Sequence, residues 1–244
     1  MLAQATRDAE RMRQPVGVGL DSPAVRARMV QRLLADGLAG EVVLEAMGKV
    51  PRHRFVDSAL AQQAYEDTSL PIGFGQTISK PSAVARMLQL LMEGETARRQ
   101  GNLGRVLEIG TGCGYQAAVL SLLARSLVSL ERIGGLHVQA KTRMEHWCAD
   151  AKLRLSVRLV HVDGRAGDAS HGPFDSIIAA AGGEALPETW LAQLAPGGRL
   201  VAPVVEGAGQ VLAVVDHRTV GGRSMLEHSR REAVAFVPLK SGLG

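Results

Sequence analysis

The sequence predicts an α/β fold, a doubly wound and mostly parallel seven-stranded sheet with a helical extension on its N-terminal side. Three observations carry that expectation. From Arg105 onward, short apolar runs alternate with stretches of helical periodicity. The first run, 105–109, flows into a turn with glycine at 110, 112 and 114, and a helix begins near Tyr115. Upstream of residue 80 the chain reads instead as two helices followed by a long loop.

Taken in order, residues 1–21 are polar, punctuated by 14–19 (Gln-Pro-Val-Gly-Val-Gly), and predict a flexible arm. Asp21 or Ser22 ahead of Pro23 is a helix start, because a short polar side chain caps the first turn and proline fits it. Met29, Val30, Leu33 and Leu34 supply the apolar face of that helix, which ends near Gly37. A second short helix runs from Glu41 to Met47. Residues 65–81 lack clean periodicity and are rich in Gly, Pro, Ser and Thr. They predict an ordered loop, and a loop of that length in a compact domain is usually functional. From Pro81 a helix restarts, with Val84, Met87, Leu88 and Leu91 on one face.

Beyond it, strands are expected at 105–109, 126–130, 156–161, 174–180, 198–204 and 210–216, with a last one near 233–238. Helices are expected at 115–124, 135–152 and 187–194. The organisation is a single domain over 22–244, in which 22–80 holds the N-terminal helices and active-site loop and 81–244 the ligand-binding α/β core.

Composition narrows the function classes. A net charge of +4 is mildly basic, but the basic residues are interspersed with acids, and aromatic residues make up only 3%. A single-strand nucleic-acid binder needs stacking platforms beside its basic groove, so no nucleic-acid partner is expected. Cys113 and Cys148 stand far apart with no metal spacing, so no metal is expected and reduced thiols of a cytoplasmic protein are the simplest account. No signal-type apolar core occupies the N-terminus and no apolar run spans a bilayer. The expectation is a cytoplasmic monomer without a membrane partner.

The glycine turn identifies the ligand class. A dinucleotide-binding turn wants Gly-x-Gly-x-x-Gly, which puts its last glycine at 115, where this chain has Tyr115. Gly110-x-Gly112-x-Gly114 after Glu108 instead resembles the first motif of the S-adenosylmethionine-dependent methyltransferases, and the fold is then expected to be of their type. Two further acids follow successive strands. Glu131 is placed to accept hydrogen bonds from ribose hydroxyls, and Asp163, before Gly164, from an adenine amino group. Taken singly, each acid is as easily a helix cap; after three successive strands they fit one nucleoside-like ligand.

A more specific resemblance rests on the ordered occurrence of Phe55-Val56-Asp57, Leu70-Pro71-Ile72-Gly73, Gln76-Thr77-Ile78-Ser79, the glycine turn with Tyr115-Gln116, Glu131-Arg132-Ile133, Asp163-Gly164 and Phe236-Val237-Pro238-Leu239. From about residue 25 to 240 the chain resembles the protein-L-isoaspartate (D-aspartate) O-methyltransferases. That resemblance implies protein repair, by methyl transfer from S-adenosylmethionine to the α-carboxylate of L-isoaspartyl, and potentially D-aspartyl, residues in damaged proteins and peptides. It implies Ser79 as the catalytic position, orienting the acceptor with Thr77 nearby. It also implies a cofactor site drawn from Ile78, Glu108, Gly110, Thr111, Gly112, Gly114, Tyr115, Glu131, Arg132, Asp163 and Gly164. Two places depart from the family pattern: Cys113 stands where serine is frequent, and 178–183 (Ile-Ala-Ala-Ala-Gly-Gly) lacks a threonine common before the alanines.

The chemistry is coherent with those residues. An isoaspartyl carboxylate, with a pKa of about 4, is already ionised at neutral pH, so no general base is needed. Alignment of acceptor oxygen, methyl and sulfur is the main task, and it is worth on the order of several kcal/mol. A nucleophilic role for Ser79 is disfavoured, because no Gly-x-Ser-x-Gly elbow surrounds it. Other readings are a methyltransferase of a small molecule or RNA, a catalytically silent S-adenosylmethionine-binding module and, disfavoured by Tyr115, a nicotinamide oxidoreductase.

Overall fold

The structure, a computed structural model, describes residues 23–244. The expected arm at 1–21 and the cap at Asp21 or Ser22 lie outside the described residues. Two helices come first, α1 (Pro23–Ala35) and α2 (Glu41–Lys49), then two 3₁₀ turns, Arg52–Phe55 and Ser58–Gln63. A hairpin of β1 (Leu70–Gly73) and β2 (Gln76–Ile78) leads into α3 (Pro81–Met92) and α4 (Glu95–Gln100). The core then alternates: β3 (Arg105–Ile109), α5 (Tyr115–Leu123), β4 (Ser126–Glu131), α6 (Gly134–Ala151), β5 (Val157–His161), β6 (Phe174–Ala179) and α7 (Glu188–Ala192). It ends in β7 (Leu194–Glu206), β8 (Gly209–Val220) and β9 (Arg223–Val234).

The seven core strands lie in the order β5-β4-β3-β6-β7-β8-β9. Strands β3 to β7 are parallel to their neighbours, and β8 and β9 add as an antiparallel meander. The chain builds outward from β3 through β4 to β5, then returns to place β6 on β3's other side. That reversal opens a crevice at the carboxyl end of β3, where open α/β sheets bind ligands.

Alternate residues of β3 and β4 face opposite cores. Val106 and Leu127 pack on one side with Met29, Leu33, Val84, Leu88 and Val119. Leu107, Ile109, Val128 and Leu130 pack on the other with Phe174, Trp190 and Leu200. The first core takes in residues of α1 and α2, so the N-terminal helices are part of the main core.

The element limits match the sequence reading closely from β3 to β6; α4 is not among the expected helices, β7 begins at Leu194 rather than 198, and two further departures bear on the site and the sheet edge. Residues 65–81 are not wholly loop: Leu70 pairs with Ile78 and Gly73 with Gln76. The connecting Phe74 and Gly75 have φ of 54° and 66°, the paired positive φ of a tight hairpin turn that a phenylalanine does not advertise. The last strand is β9, at Arg223–Val234, and not near 233–238. It is a polar edge strand held mainly by its main-chain ladder with β8, so it has no apolar alternation to read. Its one signal is Gly221-Gly222, with φ of 57° and 77°, at the turn.

Candidate active site

Strand β3 ends against three glycines whose φ values, 91° at Gly110, 56° at Gly112 and 91° at Gly114, belong to the left-handed region. Residues with a Cβ are strained there, so the spacing seen in the sequence is a backbone requirement. The turn is pinned to the next strand: Gly110 N–H donates to Leu130 O (2.8 Å). Gly112 N–H donates to Glu131 Oε2 (2.8 Å), and Ile133 N–H donates to Glu131 Oε1 (2.9 Å). Each Glu131 oxygen thus spends one lone pair on the backbone and keeps acceptor capacity for a ligand hydroxyl.

Glu108 serves the turn from behind. It is wholly buried, accepts from Gln116 Nε2 (3.0 Å), and meets the Ser129 hydroxyl, which in turn meets Thr111 Oγ1. Burial pushes its carboxyl up to about 8, against the pull of those hydrogen bonds, so it stays largely neutral at neutral pH. The neutral acid can donate its proton to Ser129, and the hydroxyl chain then ends on the glycine turn.

In front of the turn lies a cavity with about 660 Å³ of open space, partly continuous with solvent. Gly110, Gly112, Glu131, Arg132 and Gly164 line it from the strand ends, Ile72, Gln76 and Thr77 from the hairpin, and residues 237–240 from the segment after β9. Phe74, at the hairpin tip, reaches across to α6, where its ring leaves no room for a Cβ on Gly135. The far wall is a strap. Leu239 N–H donates to Gly182 O (2.7 Å), Arg132 Nε to Gly242 O (2.7 Å), and Gly242 N–H to Asp163 Oδ2 (2.6 Å). Gly164 is fixed from below by Trp190 Nε1, which donates to its carbonyl (2.9 Å).

Thr77, Gly110, Gly112 and Ala180 also line a second, smaller chamber, reached past the glycine turn and shared with Ile78, Ser79, Thr111, Cys113 and Tyr115. Ser79 in turn lines an open groove on the chamber's other side, with Lys80, Arg86 and the chain from Glu232 to Phe236. Three spaces are therefore neighbours: the large cavity, the chamber and the groove, with Ser79 in the wall between the last two. No strong base stands in the chamber. Burial raises the Cys113 thiol and pushes the Tyr115 hydroxyl up to about 12, so both keep their protons. Among the described residues, no group of three or more His, Cys, Asp or Glu is placed to hold a metal ion.

The profile of the family described as protein-L-isoaspartate (D-aspartate) O-methyltransferase matches residues 24–244. The chain belongs to that family. A protein-L-isoaspartate O-methyltransferase of Methylibium petroleiphilum is 54% identical, covering 99% of this chain and 86% of the relative. One of Dechloromonas aromatica is 50% identical over 93% of this chain and 98% of its own length. A solved protein-L-isoaspartate O-methyltransferase superposes with a TM-score of 0.75 at 26% identity, over 90% of this chain and 67% of the other. A Plasmodium falciparum structure described as a complex with S-adenosyl-L-homocysteine shares the fold, at a TM-score of 0.74 and 23% identity over 88% of this chain and 98% of the other.

Of the residues a family member is expected to use, the structure brings Thr77, Gly110, Gly112, Glu131, Arg132 and Gly164 to the large cavity. It brings Ile78, Ser79, Thr111 and Tyr115 to the chamber. Glu108, Gly114 and Asp163 line neither. Glu108 stands behind the turn, Gly114 starts α5 against Ala140, and Asp163 is taken up by the backbone N–H groups of Arg165 (2.9 Å) and Gly242. Sequence reasoning missed Phe74 and the strap. The run 236–239 was recognised as family pattern, but nothing local in it says that it closes a pocket formed some 130 residues earlier.

Proposed function

We propose that this chain methylates the α-carboxylate of L-isoaspartyl residues in damaged proteins and peptides, with S-adenosylmethionine as donor and Ser79 and Thr77 orienting the acceptor. The observation that carries this reading is Ser79's position between a solvent-open groove and a chamber that shares Thr77, Gly110, Gly112 and Ala180 with the cavity before the glycine turn. An extended chain entering the groove can present one side-chain-like carboxylate past Ser79 while the rest of the polypeptide stays outside.

The residues around the cavity fit the cofactor. Glu131's free lone pairs suit ribose hydroxyls, and the glycine turn permits close backbone approach at the cavity wall. When bound, the cofactor supplies a methyl group already activated on a sulfonium. The acceptor oxygen forms the new C–O bond as the S–CH₃ bond breaks, and no proton changes hands. Ser79 and Thr77 can donate hydrogen bonds to the carboxylate oxygen that does not react, fixing the other in line. The methyl ester formed has a better leaving group than hydroxide, so the following backbone nitrogen closes a succinimide, and partial hydrolysis returns aspartate.

The same reading makes the protein a cytoplasmic monomer whose partners are proteins and peptides, not nucleic acid or membrane. It is supported by two free cysteines, scarce aromatic residues and, among the described residues, no helix long and apolar enough to cross a membrane. The deciding assay is transfer of labelled methyl to an isoaspartyl peptide beside its aspartyl twin. Label on the isoaspartyl peptide alone is expected; equal label on both, or on neither, refutes the assignment.

A further inference from the structure

The reaction as derived leaves one buried charge unused. Arg52, in the first 3₁₀ turn, is fully buried, and among the described residues no carboxylate forms an ion pair with it. Its Nε donates to Ala64 O (2.7 Å) and its Nη2 to Ser79 O (2.7 Å). Its guanidinium carbon lies 4.7 Å from the centre of the Tyr115 ring. Nη1 finds no acceptor in hydrogen-bond geometry, but the equally buried Tyr115 hydroxyl lies close enough to act on the guanidinium electrostatically.

A cation held in the interior by two carbonyls and a ring face, with Asp67 acting on it only through space, is costly, and natural cores rarely keep one without a paired carboxylate. Its three contacts explain what it does. Ser79 belongs to the acceptor segment and Tyr115 starts the helix that follows the glycine turn, and both line the chamber. We propose that Arg52 is a positioning residue, which ties the acceptor segment at Ser79 to the donor turn at Tyr115 and lends positive potential to a chamber that must admit a carboxylate.

The planar guanidinium is needed for this. Its rigid fork reaches two carbonyls at once while its face rides on the ring, whereas a lysine ammonium brings the charge without the span. The charge also opposes the desolvation of an incoming anion, which a neutral donor does less well. Burial lowers the guanidinium pKa, but from a value so high that the group remains charged in the range where enzymes work.

This inference rests on the proposed reaction, and its test separates the two. Arg52→Lys and Arg52→Gln are compared with wild type for kcat and KM with an isoaspartyl peptide, for S-adenosylhomocysteine affinity by calorimetry, and for amide exchange at 76–80. With the span lost, Arg52→Lys is expected to lower kcat at least about tenfold while keeping peptide KM within about threefold. Arg52→Gln is expected to lower kcat and also to raise peptide KM about tenfold or more, because the charge is gone. Amides at 76–80 should exchange about tenfold faster in both, with S-adenosylhomocysteine affinity held within about threefold.

Wild-type kcat and KM in both variants overturn the inference. So does a loss of S-adenosylhomocysteine affinity as large as the loss of kcat, which marks general loosening. Should wild type itself fail to label the peptide, the reaction is wrong, and exchange at 76–80 alone decides the anchor: unchanged protection in Arg52→Lys overturns it. If Arg52→Gln does not fold, Arg52→Lys decides by the same readouts.

Discussion

Replacing Glu108 by glutamine tests whether a buried acid is carried neutral behind the glycine turn. Glutamine is the isostere of the protonated form: its Oε1 accepts from Gln116 and its Nε2 donates to Ser129, so every contact of the neutral acid survives. The carboxyl goes from 4.5 when unfolded to about 8 when folded. The folded state therefore holds the proton more tightly, and the stability this gives is complete below the unfolded pKa and is lost as pH rises through the folded one. Between about pH 5 and about pH 7.5 wild type should lose about 3 kcal/mol relative to the glutamine variant, at about 1.4 kcal/mol per pH unit. Urea unfolding of both proteins across that range measures the difference, and other titrating groups cancel. The variant should match wild type near pH 5 and unfold at roughly 1 M more urea near pH 7.5. A difference that does not change with pH refutes the neutral-acid account and leaves Glu108 an ordinary ionised carboxylate.

Glu131→Ala removes the acceptor for Gly112 and Ile133 N–H together with the ribose contact, and should weaken S-adenosylhomocysteine binding about a hundredfold by calorimetry; unaltered affinity refutes the role. Ser79→Ala should lower kcat about tenfold to a hundredfold on an isoaspartyl peptide, with cofactor affinity unchanged, and equal turnover removes Ser79 from the chemistry. Phe74→Ala takes away the ring that packs the hairpin tip on Gly135 of α6, so the release rate of S-adenosylhomocysteine in stopped flow should rise about tenfold, and an unchanged rate shows that the hairpin tip does not gate the cavity.

What was legible in the sequence was whatever local backbone physics imposes. Gly110, Gly112 and Gly114 announce themselves because only glycine tolerates three positive φ values in five residues, and β3, β4 and β6 because buried parallel strands must be apolar. β9 was illegible at its true position because an exposed edge strand is held by main-chain bonds that any side chain allows. The acids show a subtler limit. Their placement after successive strands is visible, but a strand end leaves open whether a carboxylate lines the cavity, as Glu131 does, supports the turn, as Glu108 does, or caps the strap, as Asp163 does. Those outcomes depend on neighbouring strands and on a distant segment arriving, and neither is local.

Charge placement joins the two halves of the site. On the donor side Glu131 lines the large cavity, where a cationic sulfonium cofactor is to sit, while Glu108 behind the turn is neutralised by burial and adds no full charge. On the acceptor side the buried guanidinium of Arg52 stands behind Ser79 and Tyr115, where an anion is to arrive. The reaction converts that cation and anion into two neutral products, so an exposed, fully hydrated site would lose much of the ground-state pairing to solvent. Opposed charges at the two ends of the site, Glu131 on the cavity wall and Arg52 buried behind the chamber, favour each charged reactant and lose their hold once the charges are gone. A chain with the glycine turn intact but with a neutral residue in place of Arg52 should therefore bind S-adenosylhomocysteine normally and capture isoaspartyl peptide poorly. That is the separation of donor and acceptor functions that the order of the cavity, the chamber and the groove already draws.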